Sequence, residues 1–243
     1  MRSYTSTLII ALVILFSVFL IVNTARYRFK SSESISVTGL AEKDFTADQI
    51  VWTGTFVRTG TDLRMAYSQL KLDESQIRQY LDYAGLKDSN YVFSSVDMQR
   101  NYQENYDGQG RMTGRTFTGF NLSQTFTVDS RNIAMVEKMS REITGLLQKG
   151  IELNSSAPRY YYSRLNELKI DLLSKAAADA KQRAESIAKN SDVNLGDLRK
   201  ASMGVFQITG KNSNENYSYG GVFNTSSKEK TASITLKVDY QVK

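Results

Sequence analysis

Apolar and polar residues alternate with a period of two in six segments of the chain, a pattern typical of β-strands that bury one face. In the segment 47–59, this alternation places Trp52 and Phe56 on the same face. The turn residues Asp107-Gly108-Gln109-Gly110 separate two of the segments, so we expect these two strands to form an antiparallel hairpin. The predicted strands are residues 34–41, 47–59, 91–104, 113–128, 198–208 and 231–242.

Three longer segments repeat their apolar residues every three to four positions, as amphipathic helices do. The first follows Thr61, its predicted N-cap, and stops at Gly85, but its apolar stripe is broken near Asp73. The second follows a Ser130 cap, and the chain returns to an extended segment near Gly150. The third is lined with alanine in its second half, which lets a helix lie close to a sheet or to another helix. The predicted helices are residues 62–84, 131–148 and 163–190.

The order of these elements mixes hairpins with helices, which predicts an α+β fold in which a mostly antiparallel sheet packs with about three helices. A polar loop precedes the last strand over residues 210–227. The chain has no G-x-G-x-x-G or Walker pattern that would favour a nucleotide-binding fold. We divide the chain into a membrane segment, residues 1–30, and one α+β domain, residues 31–243.

The N-terminal segment is apolar from Leu8 to Val22 except for one serine, and no charged residue lies between Arg2 and Arg26. About 20 residues are enough to cross the hydrocarbon core of a bilayer as a helix. We therefore predict one N-terminal transmembrane helix, which contacts the membrane through residues 8–22.

A cleavable signal peptide shares the basic start and the apolar centre of this segment, but it ends in a small-x-small cleavage site. Here Ala25 occupies the last position of such a site, whereas Asn23, two positions earlier, matches it poorly. This weak site and the length of the apolar run favour an uncleaved anchor or signal-anchor.

The flanking charges bear on the orientation of this anchor. Arg26, Arg28 and Lys30 follow the segment, whereas only Arg2 and the terminal amine precede it. Charge counting alone would therefore retain the domain in the cytoplasm, although the bias is small.

The composition removes several classes of site. The chain contains no cysteine and no histidine, which excludes disulfides, thiol nucleophiles, cysteine zinc sites and most hydrolase triads. We predict no metal site and no cofactor. The net charge of +6 is distributed with acids among the basic residues, as in Glu42-Lys43-Asp44, so the pattern predicts a solvated surface and no binding of nucleic acid.

Two segments match S-x-x-K, the nucleophile motif of penicillin-recognising enzymes: Ser68 with Lys71, and Ser186 with Lys189. The companion motifs S-D-N and K-T-G are missing, and about one or two such matches are expected by chance from this composition. Paired carboxylates would leave no local spacing, and no pattern points to them. We therefore predict no catalytic residue and a protein that is not an enzyme.

Tyrosine-rich stretches form the one candidate interaction surface in the sequence, because tyrosine combines apolar area with a polar tip. The alternative is packing on the faces of strands, which the strand propensity of tyrosine favours. The residues of this candidate surface are Tyr102, Tyr106, Tyr160, Tyr161, Tyr162, Tyr217 and Tyr219.

Three stretches of the domain resemble the SIMPL domain family, a group of mostly bacterial envelope proteins of poorly defined function. The first is the opening strand at residues 35–39 (ISVTG), and the second is residues 119–128 (GFNLSQTFTV), which is similar to the family's G-[YF]-x-x-x-x-x-x-x-V pattern. The third is residues 172–195, which resemble the family's alanine-rich helix and the turn that follows it. The similarity spans about residues 34–243.

This resemblance implies an exported domain on the periplasmic side of the bacterial inner membrane, self-association into larger assemblies, and a link with envelope or oxidative stress. The family defines no catalytic residue, so none is carried over to this chain. The uncleaved anchor departs from the family, and the loop 210–227 is not one of its signatures.

Three functions compete at this point. The first is a non-enzymatic, membrane-anchored envelope protein that acts through self-association or partner binding, and for it we expect a homo-oligomer. The second is a module that binds a small ligand or a lipid in a cleft between helices and sheet. The third and least favoured is a histidine-free hydrolase.

Overall fold

The computed structural model describes residues 13–22 and 33–243. Residues 13–22 are helical, with exposed side chains. The rest of the predicted transmembrane span, the candidate cleavage site before Arg26 and the flanking charges lie outside the described residues. Among the residues that are described, no helix combines the length and the hydropathy that crossing a membrane requires.

Residues 33–243 form an α+β fold, as the sequence predicts, but they build two antiparallel sheets where the sequence predicts one. Three α-helices cover these sheets: α1 (Leu63–Tyr83), α2 (Ile133–Glu142) and α3 (Leu165–Asn190). Short 3₁₀ helices lie at Asp88–Asn90 and Ile143–Lys149. The strands are β1 (Ser34–Thr46), β2 (Gln49–Gly60), β3 (Tyr91–Phe93), β4 (Asp97–Tyr106), β5 (Met112–Ser130), β6 (Glu152–Ser155), β7 (Arg159–Tyr161), β8 (Leu195–Met203), β9 (Gln207–Gly210) and β10 (Glu229–Val242).

The first sheet has the order β3-β5-β2-β6, with β4 added to β5 and β7 added to β2. Helices α1 and α2 pack on one face of it. Trp52, Phe56 and Phe126 are completely buried there, and the rings of Trp52 and Phe126 meet edge to face with centroids 5.1 Å apart. The predicted common face of Trp52 and Phe56 is thus confirmed.

Asp73 interrupts the apolar stripe of α1 because it is the partner of an arginine on the sheet. Its carboxylate is buried and accepts two hydrogen bonds from Arg58 of β2, from Nε at 2.5 Å and from Nη2 at 2.7 Å. These bonds raise the pKa of the Arg58 guanidinium. A buried charge is tolerated when it is paired and hydrogen-bonded in this way, so the break in the stripe is a link between α1 and the sheet.

The second sheet has the order β1-β10-β8, with β9 also paired to β10, and α3 covers one face of it. The helix lies very close to β1. A Cβ added to Gly39 would come 2.2 Å from the carbonyl oxygen of Ala176 and 2.6 Å from the backbone nitrogen of Ala180. The small side chains of the alanine stripe and the missing side chain of Gly39 therefore both allow α3 to lie close to the sheet.

Asp48 lies in the turn between β1 of the second sheet and β2 of the first sheet, and its hydrogen bonds connect the two sheets. Its carboxylate accepts hydrogen bonds from the backbone N–H and the hydroxyl of Ser163, both at 2.7 Å, and its own N–H donates to the carbonyl of Tyr161. Burial works against ionisation of this carboxyl group, but the bonds from Ser163 outweigh it and lower the pKa of Asp48. The start of α3 is thereby fixed to the loop that joins the two sheets.

The structure corrects two predicted helix caps. Helix α1 is capped by Asp62, whose carboxylate accepts from the N–H of Met65 at 2.9 Å, and Thr61 is not its N-cap. Helix α2 is capped by Asn132. Ser130 supports this cap from outside the helix, because its hydroxyl accepts from the N–H of Asn132.

Three predicted elements are each divided. The predicted strand 198–208 is β8 and the start of β9, because residues 204–206 belong to neither strand. The predicted strand 91–104 is β3 and β4, because the ladder with β5 shifts by one residue after Ser94, whose hydroxyl and carbonyl bond to Thr125 and Gln124 of β5. The predicted helix 131–148 leaves the α-conformation after Glu142 and continues as a 3₁₀ helix up to Lys149. Thr144 and Gly145 are weak α-helix formers, which favours this change.

Candidate functional site

Strands β4 and β5 extend beyond the first sheet as a two-stranded ribbon. The pairing of β5 with β2 begins at Phe120, so residues 112–119 pair with β4 and, within the described chain, with no other strand. Every residue of β4 is exposed. A lone two-stranded hairpin is marginally stable in water, so a ribbon of this length is a candidate for a binding element.

One side of this ribbon carries its large apolar residues, and we call it the ribbon face. In the register of the two strands, Tyr102 lies opposite Phe117 and Tyr106 lies opposite Met112. The rings of Tyr102 and Phe117 meet at 5.8 Å, and those of Phe117 and Phe120 at 5.1 Å. The apolar residues of the ribbon face are Met98, Tyr102, Tyr106, Met112, Phe117 and Phe120.

The ribbon face is open to solvent. The side chains of Tyr102 and Phe117, at its centre, are 51% and 43% exposed despite their mutual contact. The opposite side of β4 carries the amides of Gln99, Asn101, Gln103 and Asn105. Contiguous exposed apolar surface with a polar reverse side marks an interaction site more often than isolated exposed residues do.

Three charged residues lie within the ribbon face. Glu104 accepts hydrogen bonds from Arg115 Nη2 at 3.1 Å and from the hydroxyl of Tyr106 at 2.6 Å, and the latter bond raises the pKa of Tyr106. Arg100 forms no ion pair with any residue that the structure describes. The ribbon face therefore carries one guanidinium without an anionic partner among the described residues.

A cavity of about 520 Å³ lies on the second sheet, opposite α3. It is bounded by Leu40, by Val205 and by the loop that carries Tyr217 and Tyr219. The Ser233 hydroxyl and the Tyr217 hydroxyl lie 3.2 Å apart at its wall and are two of its polar groups. This volume and this mostly apolar lining fall within the range of small-molecule sites.

The seven tyrosines of the predicted surface occupy three parts of the fold. Tyr102 and Tyr106 share the ribbon face, and Tyr217 and Tyr219 line the cavity. Tyr160, Tyr161 and Tyr162 lie in and just after β7, between the two halves.

The three tyrosines at β7 have structural partners. The Tyr160 hydroxyl donates to Glu137 Oε1 at 2.9 Å, and the ring of Tyr162 packs on Phe45 with centroids 4.9 Å apart. Tyr161 is half-buried and pairs with Gln49 in the ladder of β2 and β7. These contacts assign Tyr160 and Tyr162 to packing, the alternative that strand propensity favours.

The two S-x-x-K matches lie on exposed helix surfaces. Lys71 forms an ion pair with Glu74, with Nζ and Oε2 2.6 Å apart. Within the described residues, no hydrogen bond joins Ser68 to Lys71 or Ser186 to Lys189. Nor does the described part of the chain contain a group of three acidic side chains placed to hold a metal ion.

Lys230 is a buried cation that the sequence-based predictions missed. Its Nζ donates to the backbone carbonyl of Asn224 at 2.5 Å and lies 3.3 Å from its Oδ1, while Asn224 Nδ2 donates to Glu215. Burial lowers the pKa of Lys230, and the charge of Glu215 opposes this shift. The sequence did contain a sign of this burial. Lys230 lies two and four positions before Ala232 and Ile234, so the alternation of β10 places all three side chains on the buried side.

Comparison with models of protein families gives a match that covers most of the chain. The family model described as "SIMPL: Protein of unknown function (DUF541)" matches residues 35–242. This range agrees with the similarity predicted from three stretches of sequence, and the predicted family is confirmed. No curated protein matches the chain.

The buried Lys230 predicts a pH dependence of stability. Because its folded-state pKa is lower than the unfolded value near 10.5, folding buries an unfavourable ammonium at neutral pH. As the pH rises from the folded-state pKa to 10.5, this cost disappears and the stability of the wild type rises relative to Lys230→Met. We expect the difference in unfolding free energy between the two proteins, measured by urea denaturation from pH 7 to 10.5, to change in this direction.

This comparison cancels the titration of the tyrosines, which are present in both proteins. A difference that is constant over the whole range would show that burial of Lys230 does not penalise its charged form.

Proposed function

This chain belongs to the SIMPL family, and on that premise we propose that it acts without catalysis, as a membrane-tethered protein of the cell envelope that self-associates through the ribbon of β4 and β5. The observation that carries this proposal is the exposed ribbon face, with its adjoining aromatic side chains and the outer edge of β4, which pairs with no strand among the described residues. The chemistry of the chain supports the non-catalytic half of the proposal, since the sequence has neither histidine nor cysteine. In the described part of the structure, no hydrogen bond joins either serine–lysine pair.

Self-association accounts for features that packing inside one chain leaves unexplained. Aromatic side chains at the centre of an exposed surface are typical of the residues that contribute most of the binding energy of an interface. Edge strands of natural proteins are protected by features such as lysine, proline or bulges. β4 contains neither lysine nor proline, and the extra residues of the two bulges in this ribbon belong to β5. A second chain would bury the aromatic surface and satisfy the free edge together.

The tether is the apolar segment 8–22, which we propose to remain uncleaved and to cross the bacterial inner membrane. The domain would then lie on the periplasmic side, as the family resemblance implies, against the small bias of Arg26, Arg28 and Lys30. A link with envelope or oxidative stress remains a prediction from the resemblance.

The ribbon face gives a quantitative prediction for the intact chain. We expect a stable oligomer, and we expect Tyr102→Ser to raise its dissociation constant about 30-fold, because losing a central aromatic contact costs roughly 2 kcal/mol. Sedimentation of the full-length protein in a detergent that matches the solvent density measures both.

Tyr83→Ser is the matched control, since Tyr83 is 93% exposed on α1 and lies outside the ribbon. This variant should associate as the wild type does. A wild-type chain that remains monomeric at every concentration would refute the proposed function.

The orientation of the tether is a separate prediction. A reporter enzyme that is active only in the periplasm, fused after Lys243 of the intact chain, should be active. Replacing Arg26, Arg28 and Lys30 together by glutamine should leave or increase this activity, because it removes the charges that oppose export. An inactive wild-type fusion that becomes active in the triple variant would place the natural domain in the cytoplasm.

The cavity beside Tyr217 favours a second candidate function, binding of a small apolar molecule. Val205→Trp would fill this cavity, and we expect it to weaken the binding of an apolar fluorescent probe about 10-fold. Val92→Trp, at an exposed position on β3, is the control and should bind the probe normally. Equal probe binding by wild type and Val205→Trp would exclude the cavity as the site.

A further inference from the structure

We propose that β4 pairs with β4 of a second copy of this chain, antiparallel and about a twofold axis that passes beside Tyr102. This inference rests on the proposed function and specifies which strand forms the contact between two chains and in which register. Three observations support it: the outer edge of β4 pairs with no strand among the described residues, the side chains of β4 alternate between two faces, and its charged residues occur in a particular order.

The edge of β4 is long and regular. Its ten residues span about 33 Å, and on the outer side they pair with no strand in the described part of the chain. The two irregularities of the ribbon each add a residue to β5, Thr118 in one case and Thr113 in the other. β4 therefore has no inserted residue of its own within the ribbon that would interrupt pairing with another strand.

Twofold symmetry limits the registers. An axis normal to the sheet keeps the ribbon faces of both copies on the same side, and it must then pass beside a residue and not between two. With the axis at Tyr102, Arg100 of each copy lies opposite Glu104 of the other. Opposite charges at directly facing positions stabilise a sheet, and this register contains two such pairs.

Neighbouring registers lack this match. An axis at Arg100 or at Glu104 would place like charges opposite each other, which is destabilising. An axis at Asn101 or at Gln103 would place both charges opposite neutral side chains. The order of residues in β4 thus selects Tyr102, and the guanidinium of Arg100, which lacks an anionic partner within one described chain, gains one.

The same register joins the aromatic residues. Phe117 lies beside Tyr102 within one ribbon, and Tyr102 would face its own copy across the axis. The result is a row of four rings across four strands, with both phenylalanines at its ends. Tyr106 would lie opposite Met98 of the second copy, so the apolar residues of β4 all gain apolar neighbours.

A second copy fits this edge better than an unrelated strand does. An unrelated partner would need a carboxylate, an aromatic ring and a guanidinium at successive alternate positions. β4 itself has this order when it is read in the antiparallel direction. The required partner sequence is therefore present in the chain.

Disulfide cross-linking tests the register without background, because the chain has no cysteine. Facing positions in an antiparallel pair have Cβ atoms about 4.5–5.5 Å apart, close to the separation that a disulfide needs. We expect Tyr102→Cys in the membrane-embedded, intact chain to give a cross-linked dimer under mild oxidation. Tyr106→Cys is the matched control, on the same strand and face, but its two copies would lie about 27 Å apart.

A second cysteine variant is needed because Tyr102→Cys itself removes the aromatic ring at the centre of the proposed interface. Gln99→Cys with Asn105→Cys in one chain leaves the ribbon face unchanged and places each cysteine opposite the other of the second copy. We expect it to form a doubly linked dimer. Either single substitution alone should form none, because neither position faces itself.

Charge exchange tests the pairing by a different route. Arg100→Glu and Glu104→Arg should each weaken the dimer at least about 10-fold, since each homodimer then contains two like-charge contacts. An equimolar mixture of the two variants should recover a mixed dimer close to wild-type affinity, because both contacts between the two copies are again between opposite charges. The contact of position 104 with Arg115 lies within one chain and is the same in monomer and dimer.

The outcomes separate this inference from the proposed function. Cross-linking at position 102 but not at 106, together with recovery in the mixture, supports the register. An intact chain that associates but cross-links equally at both positions, or at neither and not through positions 99 and 105, overturns the register and leaves the proposed function standing. A wild type that is monomeric throughout overturns both.

Discussion

The alternation of side chains along β5 determines which residues lie on the exposed face of the ribbon. The strand is 19 residues long, and its C-terminal half lies in the core, where Leu122, Phe126 and Val128 face the helices. Because successive side chains point to opposite sides, the core side of β5 continues along the strand as far as Phe120, where the ribbon begins. The ribbon face is therefore the core face of the first sheet, extended past the helices that would cover it.

The bulge at Thr118 adjusts this continuation. Without the extra residue, the alternation would carry Thr118 and Thr116 to the core side and turn Phe117 to the other. The insertion changes the phase, so that Phe117 joins Phe120 and lies opposite Tyr102. Gly119 makes the bulge possible, since its φ of +144° suits glycine and an added Cβ would lie 2.8 Å from the carbonyl oxygen of Gly60. Bulges of this kind re-aim side chains, and here the effect is to collect aromatic residues on one exposed side.

Local pattern predicted most of the elements, and long-range partners account for what it missed. The periods of two and 3.6 identified the longer strands and three helices because each of these elements buries one face, whereas the short strands β6 and β7 were not predicted. The division into two sheets depends on the pairing of β1 with β10, residues at opposite ends of the domain, for which no local signal exists. Asp73 likewise interrupts a stripe, but only the fold brings Arg58 to it. Only the fold shows which of the seven tyrosines lie on the ribbon, which pack between the two sheets and which line the cavity.

The order of charged residues along β4, in contrast, can be read directly from the sequence. It becomes informative because the outer edge of β4 pairs with no strand in the described part of the chain. In the proposed arrangement a modest edge contact is sufficient, because chains tethered to one membrane meet at an effective concentration much higher than in solution. The self-pairing register would limit this contact to chains of the same kind.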